Sequence, residues 1–174
     1  MLSKKLSNIT LEDFHDFIKN EVGESNTHEY KSELNITSES DRKEFLADIT
    51  SFANADGGDI IFGIKEDSKT NLPMELIGID IDNEDVFIRR IESILRDSIS
   101  PRLPQIDYLP INIRDNKYIF LVRVGHSYLS PHRIDYKGWE KFYSRSSKGK
   151  YRMEIEELRL AFTMQQTLEK NIYN

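Results

Sequence analysis

Residues 51–67, SFANADGGDIIFGIKED, restrict the fold more than any other part of the chain. Ile49, Phe52 and Ala53 continue the apolar face of a helix. Asn54 to Gly58 then supply positions able to take positive φ, which close a helix and turn the chain tightly. Ile60, Ile61, Phe62 and Ile64 follow as a short, nearly continuous apolar run. A run of that length between turn signals fits a strand covered on both faces. It delivers Glu66 and Asp67 to the end of the strand, where mixed folds tend to place their chemistry.

The flanking segments extend the pattern. Leu11, Phe14, Ile18 and Val22 recur at helical spacing, so residues 10–22 read as an amphipathic helix capped by Thr10 and stopped by Gly23. Residues 28–34 read as a strand. Ser38 and Asp41 resemble a capping box that opens the helix running to about Ala55. After the central strand come a polar loop (67–73), a short strand (75–79) and a third helix capped by Asp82 or Asn83 and ended by Pro101 and Pro104. Residues 106–113 and 118–124 form a hairpin across Arg-Asp-Asn-Lys. Residues 139–144 read as an edge strand. The final helix, 154–169, is expected to turn Ile155, Leu158 and Phe162 inward. About four helices with five or six strands make an α/β (α+β) fold with a mixed sheet.

With 174 residues, 38% hydrophobic and 31% charged, the chain fits one ordinary globular domain. That domain spans 1–174, with its core at about 20–165 and a fraying end at 166–174. The absence of cysteine excludes disulfides and thiolate zinc sites. No apolar run reaches membrane-spanning length and no signal-peptide core opens the chain, so a cytoplasmic protein without membrane contact is expected.

Two constellations carry candidate chemistry. The first is the acidic set Glu24, Glu29, Glu66 and Asp67. Three such carboxylates gathered in space make an all-oxygen site suited to Mg²⁺ or Mn²⁺, an ion that polarises phosphoryl oxygens. Lys31, two residues beyond Glu29, shares its side of a strand and could neutralise charge on a phosphate. In a chain with 30 Asp and Glu, the same groups serve equally as solvated surface acids. His28, beside Glu29, is a weaker candidate for proton transfer.

The second is residues 132–152. Arg133, Lys137, Lys141, Arg145, Lys148, Lys150 and Arg152 stand there against Asp135 and Glu140, a local charge of +5 in a chain of net −6. Tyr136, Trp139, Phe142, Tyr143 and Tyr151 interleave with them. Cations for phosphates and flat faces for bases are the footprint of a nucleic-acid surface, with Lys141 and Tyr143 turned outward. The alternative is an edge strand whose lysines block aggregation. Gly57, Gly58 and Gly63 follow a helix and no Gly-Lys-Ser/Thr is present, so they read as turn residues and not as a phosphate loop.

The segments ESNTHEYK (24–31), FANADGG (52–58) and IFGIKED (61–67), with Ser130-Pro131 and FYSRSS (142–147), resemble the AlbA-type domain of the Schlafen family in that order. The resemblance covers about residues 20–165. It implies nucleic-acid binding, of RNA such as tRNA or of DNA. It also implies, for some members, metal-dependent endoribonuclease activity, with Glu24, Glu29 and Asp67 as ligands and Lys31 as stabiliser of the phosphorane. Other bacterial members point to a DNA-binding or ATP-binding regulatory module, with a further effector domain or subunit, and several to anti-phage defence. The chain departs from the nuclease members in lacking a cysteine zinc finger and a second lobe, which a homodimer could supply, and in having Tyr30 in place of phenylalanine.

Overall fold

The computed structural model describes residues 4–172, with side chains described as far as Gln165. It is an α+β fold of four α-helices, one short 3₁₀ turn and eleven mostly short strands among those residues. Helix α1 (Leu11–Lys19) starts at Thr10, whose backbone N–H donates to the Asp13 carboxylate at 2.9 Å. The chain leaves it through Glu21 at positive φ and enters β1 (His28–Lys31). Helix α2 (Glu39–Ala53) begins at Ser38, whose hydroxyl accepts from the Asp41 backbone N–H at 3.1 Å.

The central strand β2 (Gly58–Phe62) is buried at every position. Its period-two alternation divides the core: Ile60 and Phe62 join the cluster around α2, while Ile61 joins Phe14 of α1, Tyr30 and Leu121 on the opposite face. Burial on both faces explains why its sequence is a continuous apolar run. β3 (Ile64–Glu66) and β4 (Pro73–Leu76) form a separate ribbon beyond Gly63, which takes a φ of 95°. β5 (Ile79–Asp80) precedes α3 (Glu84–Ser98), which is capped by the Asn83 side chain.

β2 pairs in parallel with β1 and antiparallel with β8 (Lys117–Val124). β8 also pairs with β7 (Ile106–Arg114), the expected hairpin, and with β5. A second, all-antiparallel sheet runs β11 (Gly149–Arg152), β10 (Trp139–Ser146), β9 (Arg133–Tyr136) and β6 (Ile99–Ser100). Helix α2 lies between the two sheets, which is why its run from Phe45 to Ala53 is buried all round instead of along one stripe.

The glycine pair is fixed by close approach. A Cβ on Gly58 would stand 2.4 Å from the Phe52 ring and 2.5 Å from the Thr27 carbonyl oxygen. On Gly57, at a φ of 75°, it would stand 2.6 Å from the Val124 carbonyl oxygen. Both are turn and packing glycines, as their position after a helix implies.

Three expectations are corrected. β10 is an interior strand of the second sheet, flanked by β9 and β11, because residues 149–152 return to pair with it. Tyr143 packs on the core with Trp139, their rings 5.9 Å apart, so the outward orientation expected for Tyr143 and Lys141 is reversed: Lys141 shares the core-facing parity. Helix α4 (Ile155–Ile172) leans on β10 through Phe162 against Phe142, yet Ile155 is 63% and Phe162 44% exposed. The side chains of 166–172 and residues 173–174, part of the stretch expected to fray, lie outside the described residues.

Candidate nucleic-acid interface

The sequence-expected acids and cations meet at the side of α2, in one alternating network. On β1, Glu29 and Lys31 point the same way, as their spacing requires, and form an ion pair at 2.9 Å. The other Glu29 oxygen accepts from Arg145 Nη1 of β10, also at 2.9 Å. Lys31 continues to Asp48 of α2 at 3.2 Å. Asp48, fully buried, receives Lys150 of β11 at 2.5 Å, and Lys150 also pairs with the exposed Glu44.

The protonation behaviour follows from burial and neighbours. Burial opposes charge on Glu29, but the Lys31 ammonium and the Arg145 guanidinium outweigh it and hold its carboxyl below the usual range. Asp48 goes the other way: burial, aided by the Glu29 charge, pushes it up to about 6. Lys31 is held well above its ordinary value: Asp48 and Glu29 outweigh a burial that opposes its charge. Glu24 donates nothing to this chain of pairs; its Oε1 accepts from the Tyr30 backbone N–H at 2.9 Å. Desolvation raises its pKa, and Glu29 adds to the rise. Glu66 is raised in the same manner, by burial first and then by Glu24 and Glu29, and its Oε1 is buried without a hydrogen-bond partner.

The acid that joins Glu24 and Glu29 from the central-strand exit is therefore Glu66. Asp67 is engaged in its own loop, where Oδ1 accepts from the backbone N–H groups of Lys69 and Thr70 at 2.9 Å each. Those bonds hold its carboxyl below the usual range. Among the described residues, no group of three or more His, Cys, Asp or Glu side chains stands where it could hold a metal ion. Glu24, Glu29 and Asp67 thus do not fit Mg²⁺ or Mn²⁺ as arranged, since lysine and arginine already fill the positions a cation would take on Glu29. His28 is tied to the Gly23 carbonyl and the Ser25 hydroxyl.

The basic segment divides into three groups. Arg145 is interior: its side chain is 2% exposed, and its guanidinium lies 3.7 Å from the Phe52 ring centroid. Arg133, Lys137 and Lys150 are paired, Arg133 with Asp135 and Glu140, Lys137 with Glu39 at 3.1 Å, and Lys150 as above. Lys141, Lys148 and Arg152 have no ion pair among the described residues. Lys148 sits at the tip of the β10–β11 hairpin, and Tyr151 on β11 is 37% exposed with its hydroxyl donating to Glu157 at 2.7 Å.

One missed member of the network carried a legible signal. Asp48 interrupts an otherwise core-forming run on α2, and a carboxylate in such a place needs a cationic partner. Asn54, outside the network, was missed as well: its amide donates to the His132 and Tyr143 carbonyls at 2.9 and 2.8 Å and accepts from the His132 backbone N–H at 2.6 Å. It ties the end of α2 to the second sheet.

The sequence model for Schlafen, AlbA_2 matches residues 24–154, a span that includes the acid–cation network and both sheets. The chain belongs to the Schlafen AlbA_2 family. Membership suggests a nucleic-acid-binding domain. Two solved structures share the fold of this Schlafen AlbA_2 domain. One is the N-terminal domain of a RecG-related protein from Nitrosomonas europaea, with a TM-score of 0.56 and 19% identity, covering 79% of this chain and 88% of that one. The other is the DIP2311 protein from Corynebacterium diphtheriae, with a TM-score of 0.54 and 14% identity over 85% of this chain. The domain spans only 27% of the Corynebacterium chain. No curated protein matches the sequence. No helix among the described residues is long and apolar enough to cross a membrane.

Proposed function

We propose that this Schlafen AlbA_2 domain binds RNA or DNA through the β10–β11 hairpin and its approach. The observation that carries this reading is the pair Lys148 and Arg152, exposed cations without an ion pair among the described residues, with the partly exposed ring of Tyr151 at the neighbouring position of β11. An unpaired surface cation can meet a phosphate without first losing a carboxylate partner, and an aromatic face accepts a base of any sequence. The net charge of −6 requires the contact to be local, because the field of the whole chain repels polyanions. Fluorescence anisotropy with labelled single-stranded RNA, single-stranded DNA and duplex DNA tests it. Affinity should fall steeply between about 50 and 200 mM salt. No binding to any of the three at the lowest salt would overturn the reading.

A second reading, endoribonuclease, is favoured by one observation: Glu24 and Glu66 have raised pKa values and lie close enough to Lys31 to feel its charge. Carboxyls held toward protonation beside an ammonium are suited to moving a proton to or from an RNA 2′-hydroxyl or leaving oxygen. This chemistry needs only the chain's own groups. Incubation of tRNA with the wild type and with Glu24→Gln checks it. Cleavage lost in the variant supports the reading; no cleavage, or equal cleavage by both, removes it.

A further inference from the structure

Two cations of the basic segment are held by the same helix. Lys137, in the turn between β9 and β10, reaches Glu39 at the start of α2, at 3.1 Å. Lys150 of β11 reaches Glu44 one turn further along, as well as the buried Asp48. Lys137 and Glu39 have side chains 61% and 46% exposed, so that pair lies at the surface; Glu44 is 57% exposed, while its partner Lys150 is 20% exposed. An exposed pair such as Lys137–Glu39 is worth about 0–1 kcal/mol, weak enough to be exchanged for a better anion. Lys150 keeps Asp48 as a second partner, and Glu39 also holds Lys43 at 2.7 Å.

We propose that Glu39 and Glu44 are internal competitors for phosphate: they occupy Lys137 and Lys150 in the free domain and yield them when a nucleic-acid backbone arrives. This rests on the nucleic-acid reading above and adds a mechanism of selectivity to it. A short or weakly charged anion gains too little from two cations already satisfied. A polyanion seated first on Lys148 and Arg152 presents further phosphates to the held lysines at high local concentration. The α2 carboxylates thus raise the chain length and charge density that a ligand needs, while the interior pairs of Asp48 and Glu29 keep the fold intact.

The experiment compares the wild type, Glu39→Gln/Glu44→Gln, and a control with the same charge change on α1, Glu12→Gln/Asp16→Asn. Helix α1 covers the opposite face of the first sheet, and these two acids have no ion pair among the described residues. Binding of labelled single-stranded RNA and DNA is read by anisotropy across a salt series, with circular dichroism confirming the fold. The α2 variant should bind several-fold more tightly, and its salt dependence should steepen by about 0.7–0.9 in log–log slope for each lysine released. Adding Lys137→Gln to that variant should remove part of the gain. Wild-type affinity in the α2 variant, or an equal gain in the α1 control, overturns the proposal while leaving nucleic-acid binding in place. No binding by any of the proteins overturns the nucleic-acid reading beneath it.

Discussion

Arg145 Nη1 donates to Glu29 Oε2 at 2.9 Å, a contact between residues 116 positions apart that bolts the second sheet to the edge strand of the first. The guanidinium also covers the Phe52 ring at the end of α2, so three elements meet in one buried group. Its Nε has no partner, which leaves the ion pair as its principal electrostatic compensation.

Removing one side of that pair should therefore be costly. Arg145→Met leaves the Glu29 carboxylate with Lys31 alone and should destabilise the domain, by less than the about 3–5 kcal/mol of a fully orphaned buried charge because Lys31 remains at 2.9 Å. Glu29→Gln/Arg145→Met should recover much of the loss, because neither charge then remains. Urea unfolding of the two variants checks both statements. A wild-type midpoint for Arg145→Met would show that the pair does not support the fold.

Asn54 should prove structural for a related reason. Asn54→Asp keeps the size and the acceptor but removes both amide donors, leaving the His132 and Tyr143 carbonyls without that partner. Each buried carbonyl left unsatisfied costs about 1–3 kcal/mol. Thermal melts should show a clear fall in midpoint, and Asn54→Leu, which also strands the His132 backbone N–H, should fall further.

These residues mark the boundary of what the chain discloses by pattern. The buried strand β2 was legible because burial on both faces leaves a continuous apolar run, and the caps at Thr10, Ser38 and Asn83 because each needs a particular side chain. Strands of two to four residues such as β5, β6 and β11 were not legible, since hydropathy cannot show periodicity over so short a span. The site was half legible. Local spacing put Glu29 and Lys31 on one side of β1. Pairing at long range decided the rest: Arg145 looked like a surface cation because composition counts charges without their partners, and Asp67 looked equivalent to Glu66 because only the turn at 67–70 distinguishes them. Helix α4 misled in the same way. Ile155 and Phe162 have core-facing spacing, yet spacing cannot show whether a surface waits to cover them.

The opposite shifts of Asp48 and Glu29 predict a measurable pH dependence. Asp48 is raised to about 6 in the fold, against about 3.9 in an unfolded chain. The folded state therefore holds that proton more tightly. Its contribution to stability is full below about pH 4, declines as the pH rises to about 6, and is level above that. Glu29, lowered, contributes in the opposite sense, stabilising above its unfolded pKa and less as acid protonates it. The Asp48 part is isolated by subtracting the unfolding free energy of Asp48→Asn from that of the wild type at each pH. That difference should fall from about pH 4 to about pH 6 and then flatten. A difference that rises over the same window would contradict the assignment.

Binding should rank the basic residues by their existing partners and not by their position in the sequence. Lys148, at a hairpin tip and without an ion pair among the described residues, can offer its full charge to a phosphate. Arg133 must first leave Asp135 and Glu140, at 3.1 and 3.2 Å, and those acids would then repel the incoming backbone. Lys148→Gln and Arg152→Gln should each weaken nucleic-acid binding and flatten the salt dependence by about 0.7–0.9 in log–log slope, one phosphate contact apiece. Arg133→Gln should change both quantities far less, since it also frees two carboxylates. Arg145 is no test of the surface at all, because its substitution acts through stability. Anisotropy titrations at three salt concentrations separate these cases, and a loss for Arg133→Gln as large as for Lys148→Gln would show that ion pairing does not set the order.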